Sequence, residues 1–108
     1  MAVVELTQTD SSKFPEVSCG DTIVFRLDET PASGFLWSVE NANEDIIAMR
    51  RSDFIVYPSF GVGGGGQRVM TFEARLCGRA RLHFKLWRAW GGEVSDKNQF
   101  DIIITVQN

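Results

Sequence analysis

Apolar and polar residues alternate along this chain with a period of two, in run after run, and turn-forming residues separate the runs. Thr22-Ile23-Val24-Phe25-Arg26-Leu27-Asp28 is the clearest case: Ile23, Phe25 and Leu27 share one face, Arg26 and Asp28 the other. A strand with one side in a core and one side in water requires this pattern, because successive side chains point to opposite faces of a sheet. Val4 and Leu6 open a first strand, and Phe35, Trp37 and Val39 fall together in Phe35-Leu36-Trp37-Ser38-Val39. A segment around Ile46 to Met49, then Phe54-Ile55-Val56-Tyr57, leads to Pro58. In the run from Val69 to Leu76, Met70, Phe72, Ala74 and Leu76 point inward; Arg81 to Leu86 and Phe100 to Val106 alternate in the same way. No stretch combines apolar spacing at i, i+3, i+4, i+7 with a cap, so little helix is expected. About seven strands in roughly a hundred residues, with turns about every 8–12 residues, predict an all-β, immunoglobulin-like β-sandwich of seven or eight strands.

At 108 residues the chain reads as a single domain over 1–108, large enough to bury a core without a metal or a disulfide. Its 11 basic and 14 acidic residues, a formal net charge of −3, argue against a nucleic-acid binder held by phosphate neutralisation. No apolar run approaches the roughly 18 residues of a membrane span, so no membrane partner is expected. Met1-Ala2-Val3-Val4-Glu5-Leu6 lacks a basic leader and a long hydrophobic stretch. No signal peptide is visible, which fits an intracellular protein or one exported with its leader removed.

Catalytic groups are hard to find. His83, the only histidine, falls on the outward face of its strand between Arg81 and Lys85, where a solvated imidazole is the expected state. Cys19-Gly20 and Cys77-Gly78 place both cysteines at strand ends or turns. Their spacing excludes a CxxC motif, and two small buried thiols are expected rather than a bridge. One histidine and two turn cysteines are a poor supply of metal ligands, so neither metal nor other cofactor is expected. Glu44-Asp45 reads as solvated charge. Arg75, Arg79, Arg81, Lys85 and Arg88, with Trp87 nearby, form a potential single-strand-binding face. Outward residues of alternating strands are polar in any case, and Glu73 shares that face.

Three connections between strands carry unusual residues: Thr30-Pro31-Ala32-Ser33-Gly34-Phe35, Gly61-Val62-Gly63-Gly64-Gly65-Gly66 and Trp87-Arg88-Ala89-Trp90-Gly91-Gly92. Loops on a rigid scaffold are where binding usually lives. Glycine loses the most entropy on ordering, so a run of it in a folded sandwich signals close backbone approach to something. Trp90 lacks apolar sequence neighbours to bury it and follows Arg88; both are residue types enriched in binding hot spots. Trp37, alternating with Phe35 and Val39, reads as core.

In these segments the chain resembles the chagasin-type inhibitors of papain-like cysteine proteases, over essentially its whole length. The family's first motif, NPTTG and an aromatic, is met by Thr30-Pro31-Ala32-Ser33-Gly34-Phe35 at the proline, the hydroxyl, the glycine and the aromatic. Its GxGG motif is met by Gly63-Gly64-Gly65-Gly66, and its Arg-Pro-aromatic motif by Arg88-Ala89-Trp90. Thr30 and Ala32 depart from the first motif, and Ala89 stands where the third has proline, leaving that loop less constrained.

The resemblance implies an immunoglobulin-like sandwich that is no enzyme, acts as a monomer and inhibits a cathepsin-like protease reversibly and competitively. Small Ala32, Ser33 and Gly34 would enter the cleft over the catalytic Cys and His. The glycine loop would hydrogen-bond along the unprimed channel like an added strand. Trp90 would cover an apolar surface on the primed side, with Arg88 beside it. The alternative from another class is a carbohydrate-binding or adhesion module of the same fold, since fold alone does not decide function. Such a module calls for two or more aromatics on one face or rim; here Trp87 and Trp90 are the candidates, and the glycine run has no role in it.

Overall fold

Each alternating run lies wholly or mostly in a strand. The computed structural model describes residues 2–29, 35–56, 65–88 and 93–108, with the backbone alone at 11, 12, 88 and 93–98. These residues form β1 (Val3–Thr7), a 3-10 helix (Gln8–Ser12), β2 (Glu16–Ser18), β3 (Thr22–Glu29), β4 (Leu36–Asn41), β5 (Ile47–Val56), β6 (Gly66–Ala74), β7 (Gly78–Arg88) and β8 (Glu93–Gln107). One four-stranded sheet has the order β1-β3-β6-β5 and the other the order β2-β8-β7-β4. β1 runs parallel to β3 and β2 parallel to β8, while the remaining pairs are antiparallel. The result is the immunoglobulin-like sandwich expected from the alternation.

The inward residues of the two sheets meet as the pattern requires. Ile23, Phe25 and Leu27 of β3 and Met70, Phe72 and Ala74 of β6 are buried against Leu82 and Phe84 of β7 and Ile102, Ile104 and Val106 of β8. Aromatic rings bridge the layers: Phe25 lies edge-on to Phe72 at 5.7 Å between centroids and 4.6 Å from Phe84, which stacks on Phe100 at 4.9 Å. Each fully buried side chain of this size contributes about 1.5–3 kcal/mol of transfer free energy. Trp37 is buried at the edge of this cluster, 5.8 Å edge-on from Phe100.

Four sequence expectations are corrected or extended. The segments at Ile46–Met49 and Phe54–Tyr57 form one ten-residue strand, β5, whose register against β6 shifts between Met49 and Arg51. That shift breaks the period-two signal in the middle of the strand; Tyr57 and Pro58 lie outside the described residues. Leu76, expected inward, is 55% exposed. β6 has ended at Ala74, and the Arg75 N–H donates at 2.7 Å to the Ile46 carbonyl as the chain turns away. Cys19 and Cys77 are exposed rather than buried, because each stands in a turn beyond the sheet. β2 has only three residues, with Val17 alone buried, too short to show alternation.

The far ends of the strands are tied by one carboxylate. Asp21 is buried, and its Oδ1 and Oδ2 accept from the Ala2 and Ser18 N–H groups, each at 2.8 Å. Those bonds hold the Asp21 carboxyl below the usual carboxylate range, with Ser18 the larger influence and partial desolvation opposing.

Candidate functional site

The three motif-bearing connections start and end at one pole of the sandwich. In the first sheet the last residue of β3, Glu29, pairs with Gly66 at the start of β6, and Gly66 pairs with Val56 at the end of β5. In the second sheet Leu36 at the start of β4 pairs with Trp87, and Arg88 at the end of β7 pairs with Glu93 at the start of β8. The two sheets are joined at this pole: the Trp37 N–H donates to Glu29 Oε2 at 2.8 Å, and its indole Nε1–H donates to the Asp28 carbonyl at 2.7 Å. Thus residues 30–34, 57–64 and 89–92 connect strand ends that lie side by side.

Glu29 is the centre of that joint. Its side chain has no exposed surface, and its carboxylate accepts from Arg68 Nη2 at 2.8 Å and from Arg68 Nε at 3.3 Å to each oxygen. The guanidinium also lies over the Phe54 ring at 5.6 Å. A buried carboxylate is tolerated only when paired and hydrogen-bonded. Here the pairing ties three strands: Glu29 ends β3 before the first connection, Arg68 follows the glycine connection in β6, and Trp37 is the second residue of β4. Sequence reasoning missed the pair, since 39 positions separate its members. The signal lay in the register: the antiparallel pairing of β3 with β6 that sets Asp28 opposite Gln67 puts Glu29 and Arg68 in diagonal reach.

The predicted site residues divide accordingly. Thr30, Pro31, Ala32, Ser33, Gly34, Gly63, Gly64, Ala89 and Trp90 lie outside the described residues. Phe35 is half-buried just before β4, and Gly65 is half-buried just before β6. Arg88 is the last residue of β7. Gly66 is a strand residue and buried. A Cβ there would overlap the Ile55 carbonyl oxygen and stand 2.6 Å from Phe54 Cζ, so the fold itself requires glycine at this position. Trp87 is half-buried in β7, with Lys85 Nζ 4.8 Å from its ring centroid. Beside these strand ends Leu36, Ile55 and Val56 are exposed, with 43%, 51% and 63% of their surface open, and they give the pole an apolar shoulder that the loop motifs did not announce.

The outward face of β4, β7 and β8 holds the groups an enzyme would need, and they satisfy one another. His83 Nδ1 lies 2.6 Å from Asp101 Oδ1, Arg81 donates to Asp101 Oδ2 at 3.0 Å, and Lys85 donates to Glu40 Oε1 at 2.9 Å. Arg81 is the larger influence holding the Asp101 carboxyl below its usual range; desolvation opposes it and His83 adds to it. The depression lined by Glu40, Ala42, Arg81, His83 and Asp101 contains no Ser, Thr, Cys or Lys nucleophile. The basic residues of that face are likewise paired at Arg81 and Lys85, as ordinary outward strand residues. Among the described residues no three His, Cys, Asp or Glu side chains converge to hold a metal ion.

Fold and pole together define a class: an immunoglobulin-like sandwich presenting three connections at one end. The sequence matches the model of the Chagasin family peptidase inhibitor I42 over residues 16–104, and the protein belongs to that family. The family is one of inhibitors, not of enzymes. Among solved structures, the fold is similar to that of the cysteine protease inhibitor EhICP2 from Entamoeba histolytica, with a TM-score of 0.84 at 18% identity, covering 99% of this chain and 97% of that one. Amebosin follows with a TM-score of 0.73 at 17% identity, covering 99% of both chains. PbICP-C, solved in complex with falcipain-2, has a TM-score of 0.63 at 15% identity, covering 97% of this chain and 89% of that one. At these identities the likeness concerns the fold. No curated protein sequence matches the chain.

Proposed function

We propose that this protein is a reversible, competitive inhibitor of papain-like cysteine proteases that closes the active-site cleft with three loops. The observation that carries the reading is membership of a peptidase-inhibitor family over residues 16–104. The known structures of the same fold include a cysteine protease inhibitor and PbICP-C in complex with falcipain-2. The common pole supports the loop assignment, because connections rooted in neighbouring strand ends can enter one groove together.

The physical roles follow from residue type. Ala32, Ser33 and Gly34 are small enough for the backbone to approach a catalytic Cys–His pair closely, without offering a scissile bond in register. Gly63, Gly64 and Gly65 leave main-chain N–H and C=O groups bare for strand-like hydrogen bonds along the substrate channel. Trp90 supplies rigid apolar area, and Arg88 a planar cation beside it. Three loops in contact together would bury a standard interface, on the order of 1,600 Å² in total. The Glu29–Arg68 joint fixes the roots of the first two loops before binding, which lowers the ordering cost.

The test is a titration of inhibitor against papain, with a serine protease and a metalloprotease as comparisons. Stoichiometric, reversible inhibition of papain alone is expected. Binding should persist in part when the protease's catalytic cysteine has been alkylated by a small reagent, since occlusion needs no thiolate. Cleavage of the inhibitor as a substrate, or an absolute need for the thiolate, would overturn the mechanism.

A further inference from the structure

The pole opposite the loops carries both cysteines of the chain in adjacent turns. Cys19 follows β2 and Cys77 precedes β7; both are free and exposed. The Cys19 N–H donates to the Gln107 carbonyl at 2.9 Å, and the Gly20 N–H to the Ala74 carbonyl at 2.9 Å. The Cys19 thiol lies 3.2 Å from the Arg75 carbonyl, two residues before Cys77. The Cys77 thiol lies 3.1 Å from Asn108 Oδ1, the residue after the one that holds the Cys19 backbone. The Cys19 turn is thus held between segments 74–75 and 107, each within two residues of Cys77 or of the Asn108 side chain that its thiol meets, so the two thiols stand in adjoining turns. Each cysteine is followed by a glycine with positive φ, +92° at Gly20 and +144° at Gly78, a conformation other residues rarely take. At Gly78 a Cβ would also stand 2.8 Å from Ile46 Cδ1, so that turn is fixed from both sides.

We propose that Cys19 and Cys77 are a dithiol site for an intramolecular disulfide, formed by exchange with a low-molecular-weight disulfide such as oxidised glutathione. One thiolate attacks a sulfur of the external disulfide and expels one thiolate leaving group, giving a mixed disulfide on the protein. The second cysteine, deprotonated, attacks the protein sulfur of that mixed disulfide and expels the second leaving group. Two protein protons and two electrons leave, and one external disulfide becomes two thiols.

Desolvation, then the neighbouring Cys77 sulfur, pushes the Cys19 thiol above its ordinary range. Exchange is therefore slow at neutral pH and quickens as the solution becomes alkaline, since the thiolate is the nucleophile. The bridge would tie the turn before β3 to the turn before β7 and restrict the unfolded chain, leaving the loop pole untouched.

The experiment uses the full chain and no protease, so its result is independent of the inhibitory reading. The protein is incubated with a mixture of reduced and oxidised glutathione near neutral pH and at about pH 8.5, quenched with acid and analysed by intact mass and disulfide-linked peptides. The expected result is a loss of about 2 Da, a peptide linking Cys19 to Cys77, faster closure at the higher pH, and a Tm raised by about 5 °C or more. Cys19→Ser and Cys77→Ser should each stop at the glutathione adduct. The wild-type chain resting at mixed disulfides, forming dimers between chains, or keeping both thiols free would overturn the proposal.

Discussion

Glu29 and Arg68, 39 positions apart in sequence, share two hydrogen-bonded oxygens at the point where the chain leaves β3 for its first loop and enters β6 from its second. The pair is therefore a support for the loop pole as much as an element of the fold. Its carboxylate member is wholly buried and its guanidinium 20% exposed, so solvent screens it little.

Removing the cation should be costly. Arg68→Met leaves the Glu29 charge buried with, among the described residues, the Trp37 N–H as its remaining partner, and breaking such a pair costs about 3–5 kcal/mol. Denaturant unfolding should show that loss, and Glu29→Gln in the same chain should recover part of it, because the uncompensated charge is gone. Equal stability of the single and double variants would show that the pair is not coupled.

Two tryptophans should separate scaffold from contact. Trp37→Ala removes a buried ring and its bond to the Asp28 carbonyl, and is expected to lower stability by about 3–5 kcal/mol. Trp90→Ala is expected to weaken protease binding by roughly 2 kcal/mol or more with little effect on melting. Melts and inhibition constants on the same proteins decide the matter; early melting with normal inhibition by the Trp90 variant would remove the third loop from the interface.

The glycine run should divide within itself. Gly66→Val forces a side chain into the Ile55 carbonyl and the Phe54 ring, an overpacking expected to cost about 1–3 kcal/mol of folding stability or more. Gly64→Val is expected to spare stability and reduce inhibition, because bare backbone is what that loop offers. Matching thermal shifts for the two would refute the division.

Acid should weaken the pole opposite the loops. The folded-state pKa of Asp21 is below its unfolded value, so its contribution to stability is present above the unfolded pKa, about 3.9, and disappears as pH falls through the folded value. Urea midpoints measured from about pH 6 down to about pH 2 should fall with acid, and Asp21→Asn should flatten that slope. An unchanged slope in the variant would assign the acid sensitivity to other carboxylates.

Period-two alternation made most strands legible because each has one face in the core. It failed where that condition lapses: β2 is too short to alternate, Arg50 sits at the register shift that splits β5 into two apparent segments, and Leu76 continues the pattern after the strand has stopped. The loop motifs were readable because glycine, proline and lone tryptophan are local signals. Glu29 and Arg68 were not, since neither is unusual on its own and only the β3–β6 register brings them together. The cysteines were misjudged by assuming that a small thiol seeks the core, when Gly20 and Gly78 hold both in turns at the surface.

The parallel pairing of β2 with β8, Glu16 opposite Thr105, has a consequence for the order in which the molecule is made. During synthesis the sheet β1-β3-β6-β5 has all its strands once Ala74 has emerged, while its partner waits for the last strand and cannot seat β2 until residues 105–107 arrive. Until then only β4 and β7 are there to cover the Ile23, Phe25 and Phe72 side chains, through Phe84 in particular, and the share of the core that Ile102, Ile104 and Val106 supply is missing. A nascent chain stopped short of residue 93 should therefore bind a hydrophobic dye and require chaperone cover, as a half-built sandwich does. The topology that gathers three loops at one end thus leaves the second sheet, and the core beneath it, to be completed by β8.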